Sequence, residues 1–99
     1  MDRFSIESFD NFFEAVLKLK TLDDAHKFFE DVCTIKELEA ISQRVEVAKM
    51  LGEGKNYQEI TRATGASTAT ISRVNKCLVY GSGGYEVVLG KGARKNERN

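Results

Sequence analysis

Ninety-nine residues without a proline suit one small domain near the lower limit for an unaided core, and leave helical N–H to C=O ladders uninterrupted. The formal net charge is zero, yet residues 1–50 carry 7 Lys/Arg against 11 Asp/Glu while residues 51–99 carry 8 against 4. An acidic half followed by a basic half suits a molecule that turns one end towards a polyanion, although chance segregation gives the same counts. One histidine, His26, and two distant cysteines, Cys33 and Cys77, lack metal-ligand spacing, so no metal, no cofactor and reduced thiols are expected. Acids interrupt the N-terminal decapeptide MDRFSIESFD where a secretory signal needs an apolar run, and no stretch reaches transmembrane length. A cytoplasmic protein without membrane contact is the expectation.

The pattern along the chain is helical throughout. A first helix is expected from about Ser5 to Leu19, with Phe9, Phe12, Phe13, Val16 and Leu17 on one face. Thr21 offers the next N-cap, with Asp23 and Asp24 in the first turn, ahead of Leu22, Ala25, Phe28, Phe29 and Val32. Five phenylalanines in two short helices form either an ordinary core or the core of a dimer wrapped around a second copy. Thr34 opens a third helix with T-I-K-E, a capping box in which Glu37 reaches back to the cap. Ile35, Leu38, Ile41, Val45, Ala48 and Leu51 mark its apolar stripe, and Gly52 and Gly54 end it.

The next stretch carries the function. Asn56 caps a short helix, Tyr57 to Thr64; Gly65 breaks it; Ser67 caps a second helix running to about Tyr80. Helix, three-residue turn, helix is the layout of a helix-turn-helix. Ile60, Ala66, Ile71, Val74 and Leu78 supply its apolar packing positions, while Thr61 stands where a small alanine is commoner. Ala69, Ser72, Arg73 and Lys76 recur at helical spacing on the opposite face, with Ser67, Thr68 and Thr70 at the N-terminus, where free N–H groups favour phosphate.

From Thr34 to Leu78, TIKELEAISQRVEVAKMLGEGKNYQEITRATGASTATISRVNKCL, the chain resembles the Trp-repressor superfamily, and within it the small bacterial YerC/YecD-type Trp-repressor-like proteins. GASTATISR is the most specific segment. The resemblance implies an all-α, multi-helix, Trp-repressor-like fold, an intertwined homodimer, and duplex DNA as partner. Two recognition helices would enter successive major grooves about 34–36 Å apart. It places DNA contacts on Gln58, Thr61 and Arg62 of the first motif helix, and on Thr68, Ala69, Thr70, Ser72 and Arg73 of the second. Ser67 and Lys76 join them from the pattern above. The implied organisation is one helical domain over residues 1–90: dimerisation helices in 1–33, a long central helix in 34–54 and the helix-turn-helix in 56–80. A disordered basic tail follows over 91–99.

Corepressor-dependent members hold tryptophan between the central and recognition helices. Thr34, Arg44, Thr70 and Arg73 match that polar set, and two arginines suit a carboxylate. Two departures oppose it: Val74 stands where those members have glycine, and Cys77 where they have serine. The pocket formed by Thr34, Arg44, Val74 and Cys77 is therefore expected to be vestigial, filled by the protein's own side chains, and tryptophan is not expected to bind.

The expected function is sequence-specific transcriptional regulation, as a repressor. Two alternatives stay open: a protein–protein interaction module on the same scaffold, and a regulator that needs an unidentified small-molecule corepressor. An enzyme is not expected, because Glu37, Glu39 and Glu46 lie at spacings that serve capping and i,i+4 pairing, with no nucleophile or base converging on them. The glycine-rich run from Gly81 to Gly84 and the apolar Tyr85, Val87, Val88 and Leu89 after it are expected to form a turn and then a short helix or extended piece, buried against the core.

Overall fold

Helix ends in this protein are set by side chains that sit next to them in sequence. The computed structural model describes residues 5–91, so of the tail expected over 91–99 only Lys91 lies among the described residues. Six helices follow one another: α1 (Ile6–Val16), α2 (Leu22–Val32), α3 (Ile35–Gly52), α4 (Tyr57–Thr64), α5 (Thr68–Tyr80) and α6 (Gly84–Leu89). No strand forms among the described residues.

Thr21 caps α2, its Oγ1 accepting the Asp24 N–H at 2.9 Å. The expected capping box opens α3: the Glu37 N–H donates to Thr34 Oγ1 at 3.1 Å and the Thr34 N–H donates to Glu37 Oε1 at 2.8 Å. Two donors left over at the helix start are thereby satisfied. α1 ends at Val16, short of the expected Leu19. The Lys18 and Leu19 N–H groups there bond Ala15 and Val16 carbonyls three residues back, a tighter turn than the α-helical ladder. Gly52 closes α3, and Gly54 beyond it takes φ +84°.

Chain contacts divide the molecule into two compact units, residues 1–38 and 39–99, a boundary that falls inside α3. In the first unit, phenyl rings bring α1 and α2 together: Phe12 stacks on Phe28 with centroids 6.2 Å apart, and Phe29 meets Phe28 edge-on at 5.1 Å. Neither helix buries a residue, however. Phe13 is 53% exposed and Leu17 81%, so one chain alone does not remove the phenylalanine-rich face from water.

The second unit holds the core: Val47, Ala48 and Leu51 of α3, Ile60 of α4, Ala66 in the turn, and Ile71, Val74 and Leu78 of α5. All the expected packing positions of the motif are buried. The stripe expected along α3 needs correction. Val47, which lay outside it, is fully buried, whereas Ile35, Ile41 and Val45 remain exposed. The helix is apolar on more than one face, and only the Val47/Ala48/Leu51 face meets the helix-turn-helix. The run after Gly81 forms a short helix, and Tyr85 and Leu89 pack on the core as expected. Val87 and Val88 do not: at 86% and 76% exposed, they turn away from it.

One side chain ties α3 to the motif turn. Gln43 Nε2 donates to the Thr64 carbonyl at 3.1 Å, at the C-terminus of α4, where no intrahelical N–H is left to do so. Ile71→Ala should lower unfolding free energy by about 2–5 kcal/mol, since it empties the centre of the core. Gln43→Ala should cost about 1 kcal/mol, the usual net worth of one hydrogen bond. Urea denaturation measures both, and equal costs would contradict this ranking.

Candidate nucleic-acid interface

The two helices of the motif are joined by Gly65, Ala66 and Ser67. Gly65 caps α4 in the left-handed conformation, φ +76°, and its N–H donates to the Thr61 carbonyl at 2.8 Å. A side chain at that backbone angle is strained even where space is open, which explains glycine at this position. Thr64 completes the turn: its hydroxyl donates to the Ile60 carbonyl and accepts the Ala66 N–H. Ala66 is buried, so the turn is pinned at its middle by packing and at its ends by hydrogen bonds.

Each motif helix begins on a side-chain cap. Asn56 and Glu59 form a capping box on α4 at 2.8 and 2.9 Å. Ser67 Oγ accepts the Thr70 N–H at 3.1 Å and donates to Thr70 Oγ1 at the same distance. α5 differs from the other five helices in one respect: it has no acid in its first turn, whereas α1 has Glu7, α2 Asp23 and Asp24, α3 Glu37, α4 Glu59 and α6 Glu86. A first-turn carboxylate normally stabilises a helix against its own dipole. The positive end of α5 is left without one.

Packing Ile71, Val74 and Leu78 inward turns Thr68, Ala69, Ser72, Arg73 and Lys76 outward, and all five are exposed, as is Ser67. Thr70 is half-buried. On α4, Gln58, Thr61 and Arg62 are exposed, so threonine at position 61 meets no steric limit. These three residues and Thr68 line one open recess of about 560 Å³ between the two helices, and Tyr57 completes it. Tyr57 was not among the expected contacts. Its place at the start of α4, directly after the cap, was the available signal. Ala69, Ser72, Arg73 and Lys76 lie outside the recess and continue the face along α5.

Among the described residues, Arg62, Arg73 and Lys76 have no acidic partner within salt-bridge distance, and the ion pairs found, His26–Glu30 and Lys27–Asp23, both lie on α2. The other flank of α4 is acidic: Glu39, Ser42, Gln43 and Glu46 of α3 line a second recess with Ala63 and Thr64. The second unit therefore presents Arg62 on one flank of α4 and Glu39 and Glu46 on the other.

Of the residues expected to form a vestigial pocket, Thr34 belongs to the first unit, in the α3 capping box, and Arg44, Val74 and Cys77 belong to the second. Val74 is buried in the core. Cys77 is exposed and borders an apolar groove of about 480 Å³ with Val45, Tyr85, Val88 and Leu89. Space therefore remains open beside Cys77. Burial pushes the Tyr85 hydroxyl above the usual phenol range, and Cys77 adds to the rise while the Arg44 guanidinium opposes it.

Similarity to known proteins follows the same span. The Trp repressor protein family matches residues 7–93. The uncharacterised protein YerC of Bacillus subtilis is 48% identical over 89 residues, covering 90% of this chain and 86% of the relative. A solved TrpR-like protein from Eubacterium eligens superposes with a TM-score of 0.82 at 53% identity, covering 89% of this chain and 91% of that one. A provisionally assigned Trp repressor from Staphylococcus aureus gives 0.82 at 41% identity, covering 86% and 85%.

The raised Tyr85 ionisation has a consequence for stability. A folded-state phenol that holds its proton more tightly than in the unfolded chain contributes stability below the unfolded value near 10.0 and loses it as pH rises through the folded value. Stability should therefore fall on the alkaline side of 10.0, and Tyr85→Phe should flatten that fall. Denaturation series across alkaline pH, with phenolate absorbance followed in parallel, check it; an unchanged slope in the variant would assign the fall to another group.

Proposed function

The chain belongs to the Trp repressor family, and from that premise we propose that it is a sequence-specific, duplex-DNA-binding transcriptional regulator that acts as a homodimeric repressor. The observation that carries this reading is the outward face of α5: small side chains beside cations that have no acidic partner among the described residues, on a helix whose first turn has no acid. Arg62, Arg73 and Lys76 hold phosphates; Thr68, Ala69, Thr70, Ser72 and Arg73 face base edges; Gln58 and Thr61 fix the approach of α4, with Ser67 holding the first turn of α5 in shape. Acidic Glu39 and Glu46 on the far flank disfavour the reverse approach to a polyanion. The work of such a face is binding and not catalysis.

The exposed apolar residues of α1 and α2 support the homodimer. Leaving Phe9, Phe13, Leu17 and Leu22 in water forfeits about 25 cal/mol for each Å² that a second copy would cover. No helix among the described residues is long and apolar enough to cross a membrane, so that surface does not serve as a span.

A second reading, a regulator that needs a small-molecule corepressor, is favoured by the open groove beside Cys77 and Tyr85. Tryptophan does not suit it, because Val74 fills the core where tryptophan-binding members have glycine. Calorimetry with L-tryptophan should be flat, and a saturable isotherm would reverse that expectation.

Selection from a random duplex library tests the main reading. The expected winner is a palindrome with half-sites about one helical turn apart, bound less tightly as salt rises. Arg73→Ala should cost about 1–3 kcal/mol if Arg73 reads a base, and Lys76→Ala should lower the salt slope by about one. Failure to enrich any sequence, without added ligand, would overturn direct DNA reading.

A further inference from the structure

We propose that the first two turns of α5 identify their half-site by the 5-methyl groups of thymine, met by the methyl groups of Ala69 and Thr68. The inference rests on the duplex-DNA reading above and names what that helix reads.

Three observations lead to it. First, the exposed residues of α5 from Ser67 to Lys76 include no Asn, Gln, Asp or Glu, and Asn75, the one amide in the helix, is half-buried. The usual two-point reader of adenine and the usual acceptor for cytosine are thus missing from this face. Second, the Ser67 hydroxyl is engaged within the helix, accepting the Thr70 N–H and donating to Thr70 Oγ1, both at 3.1 Å. Third, what remains exposed is Thr68, Ala69, Ser72, Arg73 and Lys76, the last of which lies beyond the first two turns and, like arginine, selects guanine or holds a phosphate. A serine hydroxyl donates or accepts and so tolerates any base edge, while arginine selects guanine or holds a phosphate. A methyl group has one complement in the major groove, the thymine methyl.

Discrimination at this end of α5 is therefore apolar, and the small side chains let the helix come close enough for methyl to touch methyl. The partner is defined chemically: a site whose recognition depends on 5-methylated pyrimidines, and which deoxyuridine mimics poorly although its pairing is unchanged. Conversely, 5-methylcytosine supplies the methyl group on a base pair with different hydrogen-bonding edges.

The test alters the DNA first, so protein folding does not enter. Thymines of the selected site are replaced singly by deoxyuridine and affinity is measured by anisotropy at fixed salt. One or two thymines per half-site should lose about fourfold, the factor for burying one methyl group. At those positions cytosine should also weaken binding, and 5-methylcytosine should recover part of what cytosine loses. In Thr68→Ser, which keeps the hydroxyl and removes the methyl, the deoxyuridine penalty should vanish at one thymine and persist at the other; Ala69→Gly should give the reciprocal pattern. Equal affinity for thymine and deoxyuridine at every position overturns this inference and leaves the DNA reading standing. Failure to select any site overturns both.

Discussion

Ile60 of α4 and Ile71 of α5 are both fully withdrawn from water in a cluster floored by Val47, Ala48 and Leu51 of α3, and the direction of every outward side chain on the motif depends on that cluster. Eight buried residues among those described are few, and each large aliphatic among them contributes about 1.5–3 kcal/mol. A core this small fixes one angle between two helices and little more. The turn adds what packing does not: a left-handed glycine, a threonine that both donates and accepts, and Gln43 reaching from α3 to the last carbonyl of α4. Because α5 is held on its inner face by Ile71, Val74 and Leu78, its outer face can be chosen for chemistry without loss of fold.

Net charge is a poor guide to such a surface. A neutral chain here separates its charges locally, with Arg62 on one flank of α4 and Glu39 and Glu46 on the other. Helix ends add to the same asymmetry. Five helices place an acid in the first turn, which local stability favours; α5 does not, and its free N–H groups keep their attraction for an anion. Coulomb interactions between exposed groups fade over about 10 Å at moderate salt, so the arrangement within one face matters more than the total.

What the sequence made legible is what depends on neighbours a few residues away. Ser, Thr or Asn followed by Glu three places on is a complete physical statement: the box expected at Thr34 forms, and the expected cap at Asn56 proves to be a box with Glu59. So are Gly65 after Thr64 and the spacing of Ile71, Val74 and Leu78, which together gave the motif its bounds. Burial of α3 was less legible, because periodicity shows that a face is apolar and not what covers it: Val47 points to the motif, while Ile41 and Val45 point elsewhere. The same limit explains α6, where Tyr85 and Leu89 pack inward and two valines of equal hydropathy do not. Of the proposed DNA face, the exposed residues on α5 followed from the inward stripe, but the recess that joins Thr68 to Tyr57 and the exposed side of α4 depends on the angle between helices, which no local pattern encodes.

The uncovered apolar surface and the sparse reading face bear on one another. On the proposed reading, α5 meets base edges with a few small methyl- and hydroxyl-bearing side chains and one arginine, and such a helix discriminates weakly, since each good base contact contributes only about 1–3 kcal/mol. Selecting one site among the many competing sites of a genome takes several such contacts. Doubling the face by symmetry doubles that free energy without enlarging the chain, and it turns the spacing between half-sites into a further criterion. The proposed homodimer thus meets two needs together: it covers phenylalanines that one chain leaves in water, and it supplies the second recognition helix that this chemistry requires.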